Sequence, residues 1–400
     1  MRAGSSIEAP EILVGFAEAY AAIEAAWSLK EAGFRVSAFA RAGAIAALRH
    51  VAGVRVYSVT PPEVDAARSM HDVRAIVRSI NPAAYLPLDD AGVWVAQTLG
   101  IEDLRVAGPT GAAASYALDK ELQIAAAADA GFLVPPTKLI RSLEDAHDAA
   151  YPIVIKPTRV IRVVSGRLVR PKGVVCADAS ELRTAAPLLE TGAALAQPLI
   201  AGVGEGLFGH MAKDGVVAWS AHRRLRMVNP QGSASSACAS RSPDPALLAP
   251  AERFLRAIGW RGLFMLEFLR DVDGRPQFME LNGRTWGSLA LARRRGFEYP
   301  AWTVRSSLDE SFVPVAPADP PDMVCRNLGM ELMHLAFVLR GPRSIALRDW
   351  PKLWPTIRDL LRVSRKDRLY NWKRSEPSVL AWDTAQTLGF YVRRALRTAR

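Results

Sequence analysis

Hydrophobic residues in the first hundred positions alternate between short apolar runs and segments with helical spacing. The predicted elements are strands at 11–16 (EILVGF), 34–40 (FRVSAFA) and 54–59, a helix at 17–33, a second helix ending at 79, and a strand that ends just before Asp89-Asp90. Gly33 fits a helix C-terminus, where glycine adopts positive φ without strain. Strands that alternate with helices predict a doubly wound parallel sheet.

The pattern changes after Gly108-Pro109, which indicates a linker. The predicted elements are a helix at 115–131, an extended segment at 133–137 (LVPPT), a buried strand at 151–158 (YPIVIKPT), a strand with a hinge and turn at 194–206, a strand pair at 207–226 that turns at Asp214-Gly215, and an amphipathic helix at 242–260. Because residues before proline disfavour helix, the segment 133–137 is read as extended. These elements predict a second α/β domain.

The most informative segment is 262–291, GLFMLEFLRDVDGRPQFMELNGRTWGSLAL. Asp-Gly favours a two-residue hairpin loop, since both central residues of a type I′ turn need positive φ. With Asp273-Gly274 as the loop, Val272 pairs with Arg275 and Glu267 lies opposite Glu280. Because alternate strand residues share a face, Asn282 and Arg284 then lie on the same face as Glu280.

Two carboxylates on opposed strand positions lie roughly 4.5–5.5 Å apart at Cβ and repel each other. A divalent cation between Glu267 and Glu280 would make the pair favourable, since Mg²⁺ takes hard oxygen ligands and retains water and phosphate oxygens. Asn282 adds a neutral oxygen, and Arg284 is suited to a bidentate grip on phosphate. The alternative is an exposed hairpin face with one acid protonated or turned outwards.

The hairpin resembles the signature of the ATP-grasp superfamily, in which a Glu on one strand is followed across a hairpin by Glu-x-Asn-x-Arg. The string ELNGRTWGSLALA from Glu280 onwards is similar to the carbamoyl-phosphate-synthase-like, carboxylate–amine ligase branch, where E-I-N-P-R-F-W-G-S is usual. Gly283 replaces the common proline and Thr285 an aromatic residue, and neither change removes a ligand. The resemblance spans 11–305, about three quarters of the chain.

The resemblance implies an ATP-grasp fold: an N-terminal Rossmann-like domain at 1–107, an ATP-grasp domain of two α+β lobes at 108–305, and a basic helical C-terminal region at 306–400. It also assigns site residues. The implied metal ligands are Glu267, Glu280 and Asn282, the phosphate-binding lysines are Lys120 and Lys156, and the hinge that contacts adenine is Gln197, Pro198, Leu199 and Ile200. Glu205 is implied at the ribose, Arg284 at the phosphates, and Arg224 with the weaker candidate His222 at the transferred phosphoryl group.

Several of these residues also have an ordinary structural interpretation. Lys120 fits a solvated helix surface, Glu205 an acid in a loop, and His222 an imidazole at a strand end. Asp89 and Asp90 follow a strand of the first sheet, where open α/β sheets bind ligands, but they also fit helix caps. The resemblance implies that this domain contributes to acceptor binding. Residues 158–173 are expected to cover the phosphates, although with fewer glycines than is usual.

The net charge of +11 is concentrated near the end of the chain. Residues 340–400 hold 15 Lys/Arg and 5 Asp/Glu, so the other 339 residues carry 36 basic and 35 acidic residues. The tail also contains Trp350, Trp354, Trp372 and Trp382. Basic residues interleaved with Trp suit packed helices with a solvated basic face, peripheral attachment to an anionic membrane or a nucleic-acid surface. No RNA- or DNA-binding motif supports the last interpretation.

Other features indicate a globular cytoplasmic protein. No apolar run reaches the roughly 18 residues of a membrane span, and acids at 8, 11 and 18 argue against a secretory signal. Three widely spaced cysteines, Cys176, Cys238 and Cys325, favour a reducing compartment and no zinc site. We therefore expect the cytoplasm, with peripheral attachment to the inner face of the membrane as a further interpretation of the tail.

The resemblance implies an ADP-forming ligase that uses ATP and Mg²⁺, or Mn²⁺, to activate a carboxylate as an acyl phosphate and join it to an amine. Its partners would be small acids and amines, and relatives that associate suggest a homo-oligomer. Four alternatives are phosphorylation of bicarbonate or carbamate, carboxylation of biotin, a nucleotide-binding membrane-associated scaffold, and a nicotinamide-dependent dehydrogenase. The sequence disfavours the dehydrogenase, because the turn after the first strand is not rich in glycine: Phe16-Ala17-Glu18 follow Gly15.

Overall fold

A computed structural model describes residues 9–232, 234–342 and 350–398. The N-terminal domain is a five-stranded parallel sheet in the order β3-β2-β1-β4-β5. Its elements are β1 (Glu11–Gly15), α1 (Ala22–Glu31), β2 (Arg35–Arg41), a 3₁₀ turn (Ala47–His50), β3 (Val54–Val59), α2 (Ala66–Ile80), β4 (Ala84–Pro87), α3 (Asp90–Thr98) and β5 (Arg105–Val106). The predicted doubly wound sheet is confirmed, and the predicted Gly33 cap has φ +90°. Helix α1 begins at Ala22, five residues later than predicted.

The next lobe contains a four-stranded antiparallel sheet in the order β10-β7-β11-β6 and a separate two-stranded hairpin. Its elements are α4 (Gly111–Leu118), α5 (Lys120–Asp129), β6 (Lys138–Ile140), a 3₁₀ turn (Glu144–Ala146), β7 (Ile153–Pro157), β8 (Arg162–Val164), β9 (Arg167–Val169), β10 (Val174–Cys176), a 3₁₀ helix (Ala179–Ala185), α6 (Ala186–Glu190) and β11 (Ala194–Pro198).

The single helix predicted at 115–131 is wrong, because the chain breaks it at Asp119. Asp119 is extended, with φ −124°, and its side chain accepts hydrogen bonds from the N–H groups of Glu121 and Leu122. A carboxylate that caps free N–H groups stabilises a new helix start. The break places Lys120 in the first turn of α5.

The segment expected to cover the phosphates is the hairpin β8–β9, and it is hydrogen-bonded to the N-terminal domain. The N–H of Ala66 donates to the carbonyl of Gly166 at 2.9 Å, and the N–H of Leu168 donates to the carbonyl of Pro62 at 2.8 Å. Leu168 is buried. The β8–β9 hairpin therefore connects this lobe to the N-terminal domain.

The last sheet has seven strands in the order β16-β15-β12-β13-β14-β17-β18. Its elements are β12 (Gly202–Met211), β13 (Val216–Met227), β14 (Ser235–Arg241), α7 (Pro245–Ala257), β15 (Gly262–Asp271), β16 (Pro276–Asn282), α8 (Leu289–Arg294), α9 (Tyr299–Leu308), β17 (Val324–Arg326), α10 (Leu328–Arg340), α11 (Leu353–Leu361), β18 (Asp367–Leu369) and α12 (Ser378–Thr398). Within the described residues, no helix is both long and apolar enough to cross a membrane.

The β15–β16 hairpin confirms the predicted pair but not the predicted loop. Asp271 donates its N–H to the carbonyl of Arg275, so three residues, 272–274, form the loop. Only the glycine of Asp273-Gly274 has positive φ, at +79°. The pairing shifts by one residue between Phe268 and Glu267, so the extra residue of this β-bulge restores the register and Glu267 lies opposite Glu280.

The C-terminal region is joined to the rest of the protein. It supplies β17 and β18 to the seven-stranded sheet, and Glu24 of α1 connects to it. The Glu24 carboxylate, 1 % exposed, accepts hydrogen bonds from Arg293 at 2.7 Å, Arg294 at 2.9 Å and the N–H of Asn371 at 3.1 Å. This buried ion cluster links the N-terminal domain to the C-terminal region.

We expect Glu24→Ala to lower the free energy of unfolding by about 3 kcal/mol, because removing one partner of a buried pair leaves the others without compensation. Glu31→Ala is the matched control, since Glu31 also pairs with Arg293 but has a side chain that is 47 % exposed. Its cost should be about 1 kcal/mol or less. Urea denaturation measures both, and equal losses would contradict a central role for Glu24.

Candidate active site

Glu267 and Glu280 lie opposite each other on β15 and β16, and each carboxylate has its own cation. The guanidinium of Arg224 lies 2.6 Å from Glu267, and the ammonium of Lys120 contacts Glu280. Burial raises the pKa of Glu280, but Lys120, with Arg284 and Lys156 further away, lowers it well below its usual range. Both strands thus present charge on one face, as the alternation predicted.

Strand register explains why Arg224 reaches Glu267. On β12, Gly206 lies between Glu267 on one side and His222 on the other, and Arg224 is two residues beyond His222 on the same face. A Cβ at Gly204 would lie 2.5 Å from the Arg224 side chain. Glycine therefore leaves room for Arg224 to cross β12 towards Glu267.

The ligand set suits a hard divalent cation completed by phosphate and water. Glu267 and Glu280 offer carboxylate oxygens, and the Asn282 amide lies 3.5 Å from Glu280. Among the described residues there is no cluster of three or more His, Cys, Asp and Glu able to enclose a metal. Mg²⁺ commonly takes only one or two protein carboxylates and keeps oxygens of phosphate and water, so these residues fit Mg²⁺.

Helix α5 holds Lys120 against the hairpin. The N–H of Lys120 donates to the carbonyl of Thr158 at 2.7 Å. One turn on, the buried Gln123 amide donates to the carbonyl of Leu281 and accepts from its N–H, at 3.1 and 2.9 Å. Sequence reasoning missed Gln123, although a glutamine three residues after Lys120 lies on the same helix face. This double hydrogen bond fixes α5 to β16.

Lys156 lies at the end of β7, opposite Leu195 of β11. Burial, and then the neighbouring charge of Lys120, lower the pKa of Lys156 to about 8. The side chain borders a cavity of about 220 Å³. The residues around this cavity are Asp90, Ala117, Lys120, Gln123, Lys156, Pro157, Val160, Arg170, Pro171, Gly173, Glu280, Leu281, Asn282 and Arg284.

Asp90 joins three parts of the protein at the edge of this cavity. Its carboxylate accepts from Arg284, after the hairpin, at 3.1 Å and from Arg170, after β9, at 2.5 Å. Burial raises the pKa of Asp90, but the two arginines lower it below its usual value. Asp89 instead caps α3 by accepting from the N–H of Gly92 at 2.7 Å. The sequence did not single out Arg170, which was one of five basic residues in 159–172.

His222 is buried behind Arg224 and is neutral. Its Nδ1 lies 2.9 Å from the Ser288 hydroxyl, and its Nε2 has no hydrogen-bond partner. Burial, and then Arg224, lower the pKa of His222 to about 3. At neutral pH it therefore carries no charge to offer a phosphoryl group, whereas Arg224 does.

Glu205 lies on the opposite face of the sheet from Glu267. It pairs with Phe268 on β15, one position away from Glu267, and successive strand residues point to opposite faces. Its carboxylate is held by Arg241 and by Arg270, at 2.9 Å from the latter. Contact of Glu205 with ribose stays a prediction.

The predicted hinge lies where β11 ends. The side-chain amide of Gln197 donates to the Thr137 hydroxyl at 2.8 Å, and the N–H of Leu199 donates to the carbonyl of Pro152 at 2.9 Å. Pro198 is the last residue of β11, and Ile200 follows between β11 and β12. Contact of Pro198 and Ile200 with adenine stays a prediction.

Several solved structures share the fold of this chain. N5-carboxyaminoimidazole synthetase from Staphylococcus aureus superposes with a TM-score of 0.61 at 14 % identity, covering 81 % of this chain and 83 % of that one. The biotin carboxylase domain of Hydrogenobacter thermophilus 2-oxoglutarate carboxylase gives 0.62 at 15 %, covering 79 % and 73 %. L-Amino acid ligase from Bacillus licheniformis gives 0.56 at 16 %, covering 78 % and 79 %.

No protein-family profile matches the sequence, and no curated protein matches it. The chain has the ATP-grasp fold, as its hairpin motif predicted.

We expect His222 to contribute to acid destabilisation. A histidine with a lowered pKa in the folded state stabilises the protein fully above its unfolded pKa near 6.5, and this stability is lost as pH falls towards about 3. In His222→Gln, the free energy of unfolding should change less between pH 7 and pH 4 than in wild type. Urea denaturation across this range measures the slope. The control is His147→Gln, which removes an exposed histidine and should keep the wild-type slope. A wild-type slope in His222→Gln as well would contradict a buried neutral His222.

Proposed function

We propose that this protein is an ATP- and Mg²⁺-dependent ligase that activates a carboxylate as an acyl phosphate and joins it to an amine, releasing ADP and phosphate. The observation that carries the proposal is the opposed pair Glu267 and Glu280 beside a cavity bordered by Lys120, Lys156 and Arg284. Two acids for a metal next to three cations for phosphate match the needs of phosphoryl transfer, which relies on positioning and charge neutralisation.

The structural neighbours support the nucleotide half of the proposal. The Hydrogenobacter biotin carboxylase domain was solved with MgADP and bicarbonate, and the Staphylococcus synthetase was also solved with ADP. The Bacillus protein is named as an L-amino acid ligase, which supports ligation as the class of reaction. These neighbours share the fold with this chain.

Glu267, Glu280 and Asn282 would hold one or two Mg²⁺ ions, or Mn²⁺ in their place. A metal there would supply charge neutralisation between the β- and γ-phosphates. Arg224 and Lys120, which pair with the two carboxylates in this structure, would then be free to turn towards phosphate oxygens.

The cations have distinct roles in the proposal. Lys120 and Lys156 bind the nucleotide phosphates from the α5 and β7 sides of the cavity. Arg284 is fixed by Asp90 and so presents its remaining N–H groups in one orientation. Arg224 stabilises charge on the transferred phosphoryl group. The segment Gln197, Pro198, Leu199 and Ile200 holds adenine through its backbone.

The acid and amine would enter from the N-terminal domain, where Asp90 reaches the cavity beyond the end of β4. Ligands of open parallel sheets bind at this edge. The carboxylate oxygen attacks the γ-phosphorus and ADP leaves. The amine nitrogen then attacks the acyl carbon, phosphate leaves, and the amine proton is released.

We place the reaction in the cytoplasm, since Cys176, Cys238 and Cys325 are all free thiols.

Bicarbonate is the second candidate acceptor. It is favoured by the bicarbonate bound to the Hydrogenobacter domain, and its phosphorylation would use the same metal and phosphate residues. Bicarbonate-dependent ADP release in the absence of any other acid would favour this reaction. ADP release that requires both an organic acid and an amine would favour the ligase.

We expect ATP with Mg²⁺ to raise the thermal midpoint of the wild-type protein, since a ligand at 100 times its Kd stabilises the folded state by about 2.7 kcal/mol. Glu280→Gln should lose this Mg²⁺-dependent rise. Glu331→Gln is the matched control, because Glu331 is a buried acid that does not border the cavity, and it should keep the rise.

No rise in folded wild-type protein with excess ligand would refute the proposed site. The site would also be misplaced if Glu331→Gln lost the response and Glu280→Gln retained it. If the rise appears as expected, a screen of acids and amines for ADP release is the direct test of the reaction.

The affinity for MgATP should fall in alkaline solution, because Lys156 binds phosphate only while protonated and its pKa is lowered to about 8. We expect binding about tenfold weaker at pH 9 than at pH 7. Lys156→Arg should flatten this change, since arginine stays charged throughout. Isothermal titration calorimetry measures both proteins, and an equal loss in Lys156→Arg would assign the pH dependence to another group.

A further inference from the structure

The exposed side of α11 and the residues after it form a basic apolar surface that the proposed reaction does not use. We define this surface, the α11 ridge, as the outward residues of 352–368. Three of its apolar side chains are exposed to an unusual degree: Trp354 by 76 %, Leu361 by 77 % and Val363 by 80 %. Large apolar side chains exposed together indicate an interaction surface.

Helical spacing places the first two of these residues side by side. Trp354 and Leu361 are seven positions apart on α11, which is two turns, so both lie on one stripe. On the opposite side of the helix, Thr356 is buried against the body. Helix α11 ends at Leu361, and Val363 continues the apolar surface beyond it.

Hydrogen bonds from the body of the protein hold α11 so that this stripe faces outwards. The buried Arg326 donates to the carbonyls of Leu360 and Arg362, at 2.5 and 2.9 Å, and is itself held by Glu331 at 2.9 Å. These hydrogen bonds fix the C-terminal end of α11. The exposed side chains are therefore presented by a fixed element of the fold.

The ridge is strongly positive. Residues 352–368 contain six Lys/Arg and two Asp/Glu, and all six cations are exposed: Lys352, Arg358, Arg362, Arg365, Lys366 and Arg368. Asp367 does not offset them at the surface, since it accepts from Ser364 at 2.6 Å and lies 3.4 Å from Arg326, with a side chain that is 14 % exposed. Asp359 is paired with its neighbour Arg358.

We propose that the α11 ridge binds the surface of an anionic lipid bilayer. Trp354, Leu361 and Val363 enter the headgroup region, and the surrounding arginines and lysines contact lipid phosphates. A bilayer interface accommodates both kinds of side chain, because Trp is favoured there and apolar residues leave water. A nucleic acid would satisfy the cations but would leave Leu361 and Val363 in water. This inference is independent of the proposed ligase reaction.

The test is co-sedimentation of the full-length protein with vesicles at about physiological salt, where the Debye length is about 8 Å. One vesicle contains phosphatidylcholine alone, and the other contains phosphatidylcholine mixed with phosphatidylglycerol. We expect binding to the mixed vesicles only, and release at high salt. Binding should not depend on ATP.

Two variants separate the contributions of charge and apolar contact. The triple variant Arg362→Gln, Arg365→Gln and Lys366→Gln should bind mixed vesicles about 100-fold more weakly, since each basic residue near an anionic surface contributes about a fivefold change in affinity. The variant Trp354→Ala with Leu361→Ser keeps every charge and should also bind more weakly. Both variants should retain the wild-type thermal midpoint, because the substituted side chains are exposed.

Matched controls remove the same chemistry elsewhere. Arg78→Gln, Lys213→Gln and Arg261→Gln neutralise three exposed cations outside the ridge, and Val315→Ser removes an apolar side chain that is 85 % exposed. These controls should bind vesicles like the wild type if the ridge is responsible.

Three results would overturn the proposal. The first is no binding of wild type to mixed vesicles, including the case in which an RNA or DNA oligonucleotide binds the ridge instead. The second is binding that the control triple weakens as much as the ridge triple, which would indicate net charge alone. The third is a protein dimer that Trp354→Ala with Leu361→Ser converts to monomer without any vesicle binding, which would make the ridge an interface between copies of this chain.

Discussion

The repulsion between Glu267 and Glu280 is the constraint around which the site is arranged. Opposed carboxylates on neighbouring strands destabilise a sheet, so this hairpin needs cations close to both. Arg224 comes from β13 and Lys120 from α5. The two cations are delivered by different elements: β12 separates β13 from the hairpin, and α5 is hydrogen-bonded to β16 through Gln123. The same acids are then available to a divalent cation.

A second charge cluster closes the site from the other side. Asp90 extends from the N-terminal domain and binds Arg284 and Arg170, while the hairpin β8–β9 is hydrogen-bonded to residues 62 and 66. The cavity therefore has walls from both lobes and from the parallel sheet. Most of the buried charges have an opposite partner within hydrogen-bond distance, which offsets the cost of burial. Lys156 lies beside the like charge of Lys120 instead, and its pKa is lowered accordingly.

Local errors in the sequence predictions have identifiable physical causes. The helix predicted at 115–131 is interrupted because Asp119 caps α5, an effect that competes with helical periodicity. The hairpin loop has three residues, because only Gly274 adopts positive φ, and a β-bulge absorbs the difference. Glu267 therefore lies opposite Glu280 because of the β-bulge, which the prediction of a two-residue loop did not include. The C-terminal region at 306–400, predicted to be helical, also contributes the short strands β17 and β18 to the last sheet.

The sequence by itself determined the features that depend on local periodicity and on a short motif. Alternation along a strand decided that Glu280 and Asn282 share a face, and the strand–helix order predicted the parallel sheet. Tertiary structure alone decided which cation meets which acid, since Arg224 and Lys120 are separated from their partners by 43 and 160 positions in the numbering. It also decided that Glu205 lies on the opposite face of the sheet from Glu267, because that depends on the register between β12 and β15. A single strand specifies its own two faces, but only pairing with distant strands determines which of them borders the cavity.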